Sequence, residues 1–410
     1  MSAFLRATVL TLCLMLAIPA LASDSPQFRG PHRDGIFPDT NLLQSWPEGG
    51  PPAAWTTDGI GAGYSAAAVA NGAIYITGML EDELGYLFAL DESGAVKWKV
   101  AYGPETLDKQ ATGARATPTI DGDRVYVQSG LGVITCMSAA DGKQIWQLDA
   151  LQTFKGEVVS WAIAESLLVD GDLVFATPGG PDASVVALDK MTGKTVWTSK
   201  GFSEPSAYCS PVLFTFGGRA VVVTMTAKSV VGIDRNTGEV LWTHAHETDY
   251  DIHAVTPVCS GDIIYYTAGY GSGGGALKVS ADGSSVTQLW RDENLDCQHH
   301  GVVLVDGYIY GTGSKNNALF CLELATGKVM WSSEEVSQGN TVYADGMLYI
   351  YEGPKSGQVK LVKASPAGFE QAGVLQIPRA RDKHWANPTI ANQRLYIRYN
   401  GSLYAFNIAR

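Results

Sequence analysis

One phrase constrains this chain more than any other: Ala187-Leu188-Asp189-Lys190-Met191-Thr192-Gly193-Lys194-Thr195-Val196-Trp197. A strand-like run is broken by an Asp…Thr-Gly turn and closed by a tryptophan. The phrase returns as Ala89-Leu90-Asp91…Gly94…Trp98, as Asp141-Gly142-Lys143-Gln144-Ile145-Trp146 and as Asp234-Arg235-Asn236-Thr237-Gly238-Glu239-Val240-Leu241-Trp242. Looser copies are Asp282-Gly283…Trp290 and Thr326-Gly327-Lys328-Val329-Met330-Trp331. From Trp98 to Trp331 successive tryptophans lie 48, 51, 45, 48 and 41 residues apart. A period in the forties built on short strands belongs to closed rings or solenoid arrays of one repeated unit.

Each unit opens with a second signal, as in Thr117-Pro118-Thr119-Ile120-Asp121-Gly122-Asp123-Arg124-Val125-Tyr126-Val127. An Asp-Gly pair between apolar runs marks a tight hairpin, because a primed turn needs positive φ. A second strand pair ends in the Trp phrase, so each unit holds four strands and reads as one propeller blade. Hairpin glycines Gly72, Gly122, Gly171, Gly218, Gly261, Gly307 and Gly346, with Asn392 in the eighth place, predict eight blades. The expected fold is all-β: an eight-bladed β-propeller of four-stranded antiparallel blades. The chain stops at the third strand of the last blade, and Pro51-Pro52-Ala53-Ala54-Trp55-Thr56 supplies the fourth. Pairing of N-terminal and C-terminal strands then closes the ring and leaves no exposed sheet edge. Blade seven lacks the Trp and carries Phe369 near its place, which predicts the least regular blade.

The segments outside the ring read differently. Residues 1–22 have the pattern of a signal peptide: Arg6, a short apolar core from Val9 to Ile18, and Ala20-Leu21-Ala22 as a small-residue cleavage site. The apolar run is too short for a membrane span, and no later stretch reaches the roughly 20 apolar residues that spanning needs. Cys13 lies inside that apolar core, so no lipid anchor is expected. Residues 23–45, with Gln27-Phe28-Arg29-Gly30-Pro31, form an N-terminal arm expected to lie on the body, and the propeller is expected over 46–410. The expected location is the periplasm or the exterior. A net charge of −12 with no Lys/Arg cluster argues against nucleic acid as a partner. Cys136, Cys209, Cys259, Cys297 and Cys321 are an odd, scattered set rather than a disulfide framework. Cys136 and Cys321 take the place of Ala187 and read as small apolar residues. Cys209 and Cys259, in neighbouring units, are the one pair left open.

The Asp-x-x-Thr-Gly-x-x-x-Trp phrase resembles the PQQ-like β-propeller repeat. That repeat builds the quinoprotein alcohol dehydrogenases and the propeller lipoprotein of outer-membrane barrel assembly. The resemblance covers residues 46–410 and implies that the Trp docks between neighbouring blades. For activity it implies less. The dehydrogenases carry a vicinal Cys-Cys pair beside the quinone, and no cysteines are adjacent here. Their calcium-binding and catalytic carboxylate motifs have no match, no Cys-x-x-Cys-His phrase offers a haem attachment, and the lipoprotein's N-terminal anchoring Cys is absent.

Chemistry in a propeller sits where the chain enters the innermost strands, around the mouth of the central channel. Eight residues before each hairpin glycine stand Tyr64, Ala114, Ile163, Ser210 (or Ala207, from the placing of Pro211), His253, His299, Gln338 and His384. One residue further come Arg115, His300 and Trp385. His253, His299, His300 and His384 are therefore candidate ligands for zinc, copper or iron, with His244, His246, Glu247, Asp249 and Asp251 nearby in sequence. Arg115, Trp161 and Trp385 are candidates to hold a planar cofactor such as PQQ. The competing reading is a wet, hydrogen-bonded channel mouth. Glu165 is a lone carboxylate with no partner to make an acid–base pair, and reads as an acceptor. Gly271-Ser272-Gly273-Gly274-Gly275 leads into a strand, so it reads as a hairpin loop and not a phosphate cradle. The sequence thus points to an exported binding or scaffold propeller with a protein, glycan or small-ligand partner. The alternative is a periplasmic oxidoreductase using PQQ or a divalent metal in the channel.

Overall fold

The computed structural model describes residues 23–108, 110, 112–353, 356–378 and 383–410. The expected signal peptide at 1–22 lies outside the described residues. Eight separate four-stranded antiparallel sheets follow one another along the chain. Blade one is Ala68–Ala70, Ala73–Met79, Leu84–Leu90 and Val96–Pro104, and blades two to seven repeat that order over 119–149, 168–198, 212–245, 258–292, 303–333 and 339–376. Blade eight is Thr389–Ala391, Arg394–Tyr399 and Ser402–Asn407, completed by the first strand of the ring, Ala53–Thr57, on Ser402–Asn407. Eight blades and the strand-exchange closure are as expected. The inner hairpins turn through left-handed pairs such as Asn71-Gly72 (φ 54 and 68) and Asn392-Gln393 (φ 54 and 57), so asparagine does serve in the eighth turn.

The blade repeat has a simple packing cause. Across the second, third and fourth strands the register aligns an aromatic, a small residue and a tryptophan: Tyr75–Ala89–Trp98, Tyr126–Cys136–Trp146, Phe175–Ala187–Trp197, Tyr310–Cys321–Trp331. The two rings meet over the small residue, with centroids 5.8–6.1 Å apart. Cys136 and Cys321 occupy that middle place as buried free thiols. In blade four the middle residue is Gly232, where a Cβ would lie 2.1 Å from the Trp242 ring. In most blades the Trp then docks on the turn of the following blade. The indole Nε1 of Trp197 donates to Arg235 O at 3.0 Å, and Gly238, at φ +75, leaves room for the ring, since a Cβ would stand 2.6 Å from it. Trp55, Trp146 and Trp290 donate to Glu92 O, Lys190 O and Leu324 O in the same way.

Blade seven solves its missing tryptophan from elsewhere. Gly373 stands in the tryptophan register, opposite Leu361 and Tyr349. Trp46 of the N-terminal arm fills the gap: its ring meets Tyr349 at 5.9 Å and 54°, the geometry of the native pairs. Its backbone N–H donates to Ala372 O, and a Cβ on Gly373 would strike it at 2.6 Å. Phe369, the sequence candidate for that place, instead meets Trp331 of blade six edge-on.

The arm does not lie on the outside of the body. It is tied to the inner-hairpin face through Ser23 on Asn392, Asp39 on Gln393 and Asp345 on Leu42. Between these ties it rises into the channel. Arg29 donates to Val302 O at 2.6 Å, Thr341 O at 3.2 Å and Asn387 Oδ1 at 3.1 Å. Arg33 donates to Ser166 O at 2.6 Å, Leu167 O at 3.1 Å and Gln27 Oε1 at 3.1 Å. Both guanidiniums are buried, and loss of solvent lowers each to about 10, still far above neutrality. Arginine suits this place because its planar fork bridges several carbonyls at once. Two cations thus bind blades three, six, seven and eight to one plug.

Candidate functional site

The plug gives the channel a floor, and above it the mouth remains open as a cavity of about 220 Å³. Phe28 of the arm forms part of the base. The walls come from the segments entering the inner strands: Tyr64 and Ala66 of blade one, Arg115 and Thr117 of blade two, and Trp161 and Ala164 of blade three. Tyr208 and Ser210 of blade four, Ile252 and Ala254 of blade five, Gln298 and His299 of blade six, and Trp385 and Asn387 of blade eight complete them, with Gln110 and Tyr270 on the rim. Tyr64 packs on Trp385 at 5.5 Å and His299 meets the same indole at 4.8 Å. Trp161 packs on Tyr208 at 6.3 Å. Lys383 sits over the Trp385 ring at 4.0 Å and donates to Gln110 O. The cavity is an aromatic box edged with amides and hydroxyls.

Arg115, Trp161, Trp385 and His299 reach the cavity as the sequence positions predict. The other three candidate histidines do not. His300 stands beside His299, ring centroids 4.1 Å apart, but turns into the wall. His253 faces away from the channel, where Ile252 and Ala254 line it, and packs on His246 at 5.3 Å. His384 accepts or donates at Nδ1 to Tyr351 Oη, 2.7 Å away, and stacks on Tyr399 at 4.0 Å and 8°. Among the described residues no three or more His, Cys, Asp or Glu side chains converge on one point as a metal cage. In each blade that lines the mouth, a wall residue stands four places before the inner strand, whereas His253 and His384 stand five and His300 three before theirs, and these turn into the blade junction.

Burial shapes the titration of these imidazoles. Loss of solvent pushes His299 down to about 4, with Lys383 adding to it, and His253 to about 4. His246 falls to about 3 through burial and then the neighbouring His253, and burial holds His300 well below the usual imidazole range. All are neutral at physiological pH. Arg115 is lowered by burial, while Glu105 and Asp108 act to raise it.

Glu165 is fully buried beside the channel wall and not in it. Its carboxylate accepts from Thr177 N–H at 2.8 Å and from the Thr177 hydroxyl, and burial raises it to about 7. The same device recurs at other blade junctions. Glu105 accepts from Gly130 N–H, Glu352 from Ser337 N–H, and Glu204 from Lys228 N–H. Each carboxylate ties the segment entering a blade to the end of that blade's own second strand. Cys209 and Cys259 are free thiols, so the open pairing is not made. Gly273 begins a strand after a turn at Tyr270–Ser272, as a hairpin loop should.

Sequence reasoning missed Phe28, Tyr208, Tyr270, Gln298 and Asn387. Phe28 arrives with the plug, which no local pattern announces. Tyr208 and Tyr270 point inward from left-handed backbone (φ 73 and 60), which sequence favours for glycine or asparagine.

Comparison with known proteins agrees with this architecture. The family model for outer membrane protein assembly factor BamB, a PQQ-like repeat model, matches residues 53–333. The chain belongs to that family. Outer membrane protein assembly factor BamB of Yersinia pestis is 26% identical to this PQQ-like propeller over 308 residues, 70% of each chain. BamB of Moranella endobia is 25% identical over 57% of this chain and 48% of its own length. The quinoprotein alcohol dehydrogenase PedH of Pseudomonas putida is 31% identical over 27% of this chain and 18% of its own length. This propeller thus spans less than half of either of the last two proteins. Among solved structures, BamB from Moraxella catarrhalis superposes with a TM-score of 0.62 at 14% identity, covering 87% of this chain and 99% of that one. Quinohemoprotein alcohol dehydrogenase from Comamonas testosteroni gives 0.68 at 14% identity, covering 94% and 81%. At such identities the two structures establish the fold alone.

Proposed function

We propose that this protein is an exported, non-catalytic binding propeller of the BamB-like family, acting as a scaffold that holds a partner at its channel mouth. One observation carries the reading: the blade-entry segments converge on an aromatic cavity of about 220 Å³, closed below by the arm. Recognition sites are typically concave, largely apolar, and supplied with a few fixed polar groups. The relatives named as assembly factors support a role in protein assembly. The short apolar leader read at residues 1–22 supports export to the periplasm or beyond, and none of the described helices is long and apolar enough to cross a membrane.

The donor set at the mouth weighs against the oxidoreductase alternative. PQQ is a tricarboxylate bound with a divalent ion. Arg115 in the wall and Lys383 over Trp385 offer cations to the carboxylates. Among the described residues no carboxylate lines the cavity to coordinate the ion. The residues present do not fit that cofactor. The deciding assay is purified protein incubated with PQQ and calcium, then given alcohols or aldoses with an artificial electron acceptor. We expect no dye reduction above the quinone blank; turnover that scales with protein would overturn the non-catalytic reading.

A further inference from the structure

The backbone around the mouth carries strain where it presents aromatic rings. Ala162, Tyr208, Tyr250, Asp251 and Tyr270 all adopt left-handed backbone, with φ of 62, 73, 68, 55 and 60. Bulky residues rarely accept that region, and such outliers gather where geometry is fixed for recognition. Here the strain aligns rings. Trp161 meets Tyr208 at 6.3 Å and Tyr250 at 6.2 Å, and Tyr250 meets Tyr270 at 5.5 Å. The row is open to solvent at one end, since Tyr250 is 68% exposed and Tyr270 40%.

That row divides two cavities. One is the channel mouth. The other, about 440 Å³, is lined by Lys155, Glu157, Pro205, Tyr208, Tyr250 and Asp251 among others, and so carries charges of both signs. Tyr208 lines both. The mouth, at about 220 Å³, exceeds the roughly 150 Å³ that takes up a benzene ring, so it has room for a single substituted six-membered ring. The wall chemistry narrows the class. A cation would need a carboxylate, and among the described residues none lines the mouth. Gln298, Asn387, Thr117 and Ser210 put amides and hydroxyls into the wall, fixed in place by Tyr270 Oη, Arg29, Ala66 N–H and Ser166 N–H. Flat ring faces next to amides and hydroxyls suit a pyranose, whose axial C–H bonds meet the negative aromatic face while its hydroxyls take hydrogen bonds.

We propose that the two cavities form one site for an oligosaccharide, with its end ring in the channel mouth and the next units crossing Tyr208 and Tyr250 into the second cavity. This rests on the mouth being a binding site, as read above. The test follows intrinsic tryptophan fluorescence, to which Trp161 and Trp385 contribute from the walls, during titration with cellotetraose, mannotetraose and tetra-N-acetylchitotetraose. The matching monosaccharides, benzoate and an aromatic tripeptide are run beside them. We expect a saturable change with at least one tetrasaccharide and its loss in Trp385→Leu. Tyr250→Ala, a surface change that leaves the melting temperature in place, should weaken that tetrasaccharide about two- to tenfold, the worth of one aromatic contact, and leave the monosaccharide unaffected. If benzoate or the tripeptide binds in a Trp385-dependent way and no saccharide does, the saccharide inference fails and the binding reading stands. If no probe binds, both fall. Saccharide binding indifferent to both substitutions also overturns the proposal.

Discussion

Stability of this propeller should collapse on mild acidification, because three imidazoles are locked neutral inside it. His246, His253 and His300 are 2%, 0% and 0% exposed. Burial holds His246 to about 3 and His253 to about 4, and His300 lies well below the ordinary range. In the unfolded chain each titrates near 6.5. The unfolded state therefore binds more protons below that value, so the stabilising contribution is full above pH 6.5 and is lost as pH falls toward the folded values. Between pH 7 and 5 each histidine forfeits about 2 kcal/mol, or about 6 together. Glu165 works in the opposite sense. Raised to about 7 by burial, it takes up its proton earlier in the folded state and returns about 2 kcal/mol over the same interval. The net loss of about 4 kcal/mol is a large share of an ordinary folding free energy. Guanidinium midpoints at pH 7, 6 and 5 measure it, and His300→Leu or His253→Phe should flatten the slope by about half each. Midpoints that stay level from pH 7 to 5, or variants that keep the full slope, would refute the reasoning.

Three further outcomes follow from the packing. Trp46→Ala removes the ring that completes blade seven against Tyr349 and Gly373, and should cost about 3–5 kcal/mol. Amide exchange should rise first in residues 339–376. Gly238→Ala forces an L side chain into φ +75 with its Cβ 2.6 Å from Trp197; the expected loss, about 2–4 kcal/mol, is read by thermal melting. Arg33→Met leaves the Ser166 carbonyl without its donor and Leu167 O with the Thr119 hydroxyl alone, so we expect a loss of about 1–3 kcal/mol. Limited proteolysis should then cut within residues 23–45 before the blades.

The architecture was legible because each blade repeats two local signals with physical causes. The left-handed hairpin at Asn71-Gly72 and the Trp197 ring over Ala187 are written in adjacent residues, so counting them counts blades. The wall of the mouth was half legible. Tyr64, Arg115, His299 and Trp385 each fall four residues before an inner strand, but counting from the turn residues did not fix that distance to the residue. His253 and His384 stand five residues before theirs and face into the blades. The arm was not legible at all in its path. Arg29 and Arg33 look like surface charges in sequence, and only the inner-strand carbonyls of distant blades explain their burial. Trp46 likewise reads as the start of the ring until Gly373 shows where its indole belongs.

The central claim is that the channel mouth holds a partner without chemistry, and native mass spectrometry of the purified exported protein tests it most directly. Wild type is compared with Ala164→Trp, which fills the cavity from blade three and leaves the plug intact. The account predicts a non-covalent adduct on wild type, released intact on denaturation and absent from the filled variant. Adducts of equal abundance on both proteins, or one recovered in an oxidised form when substrate alcohol is withheld, would contradict it.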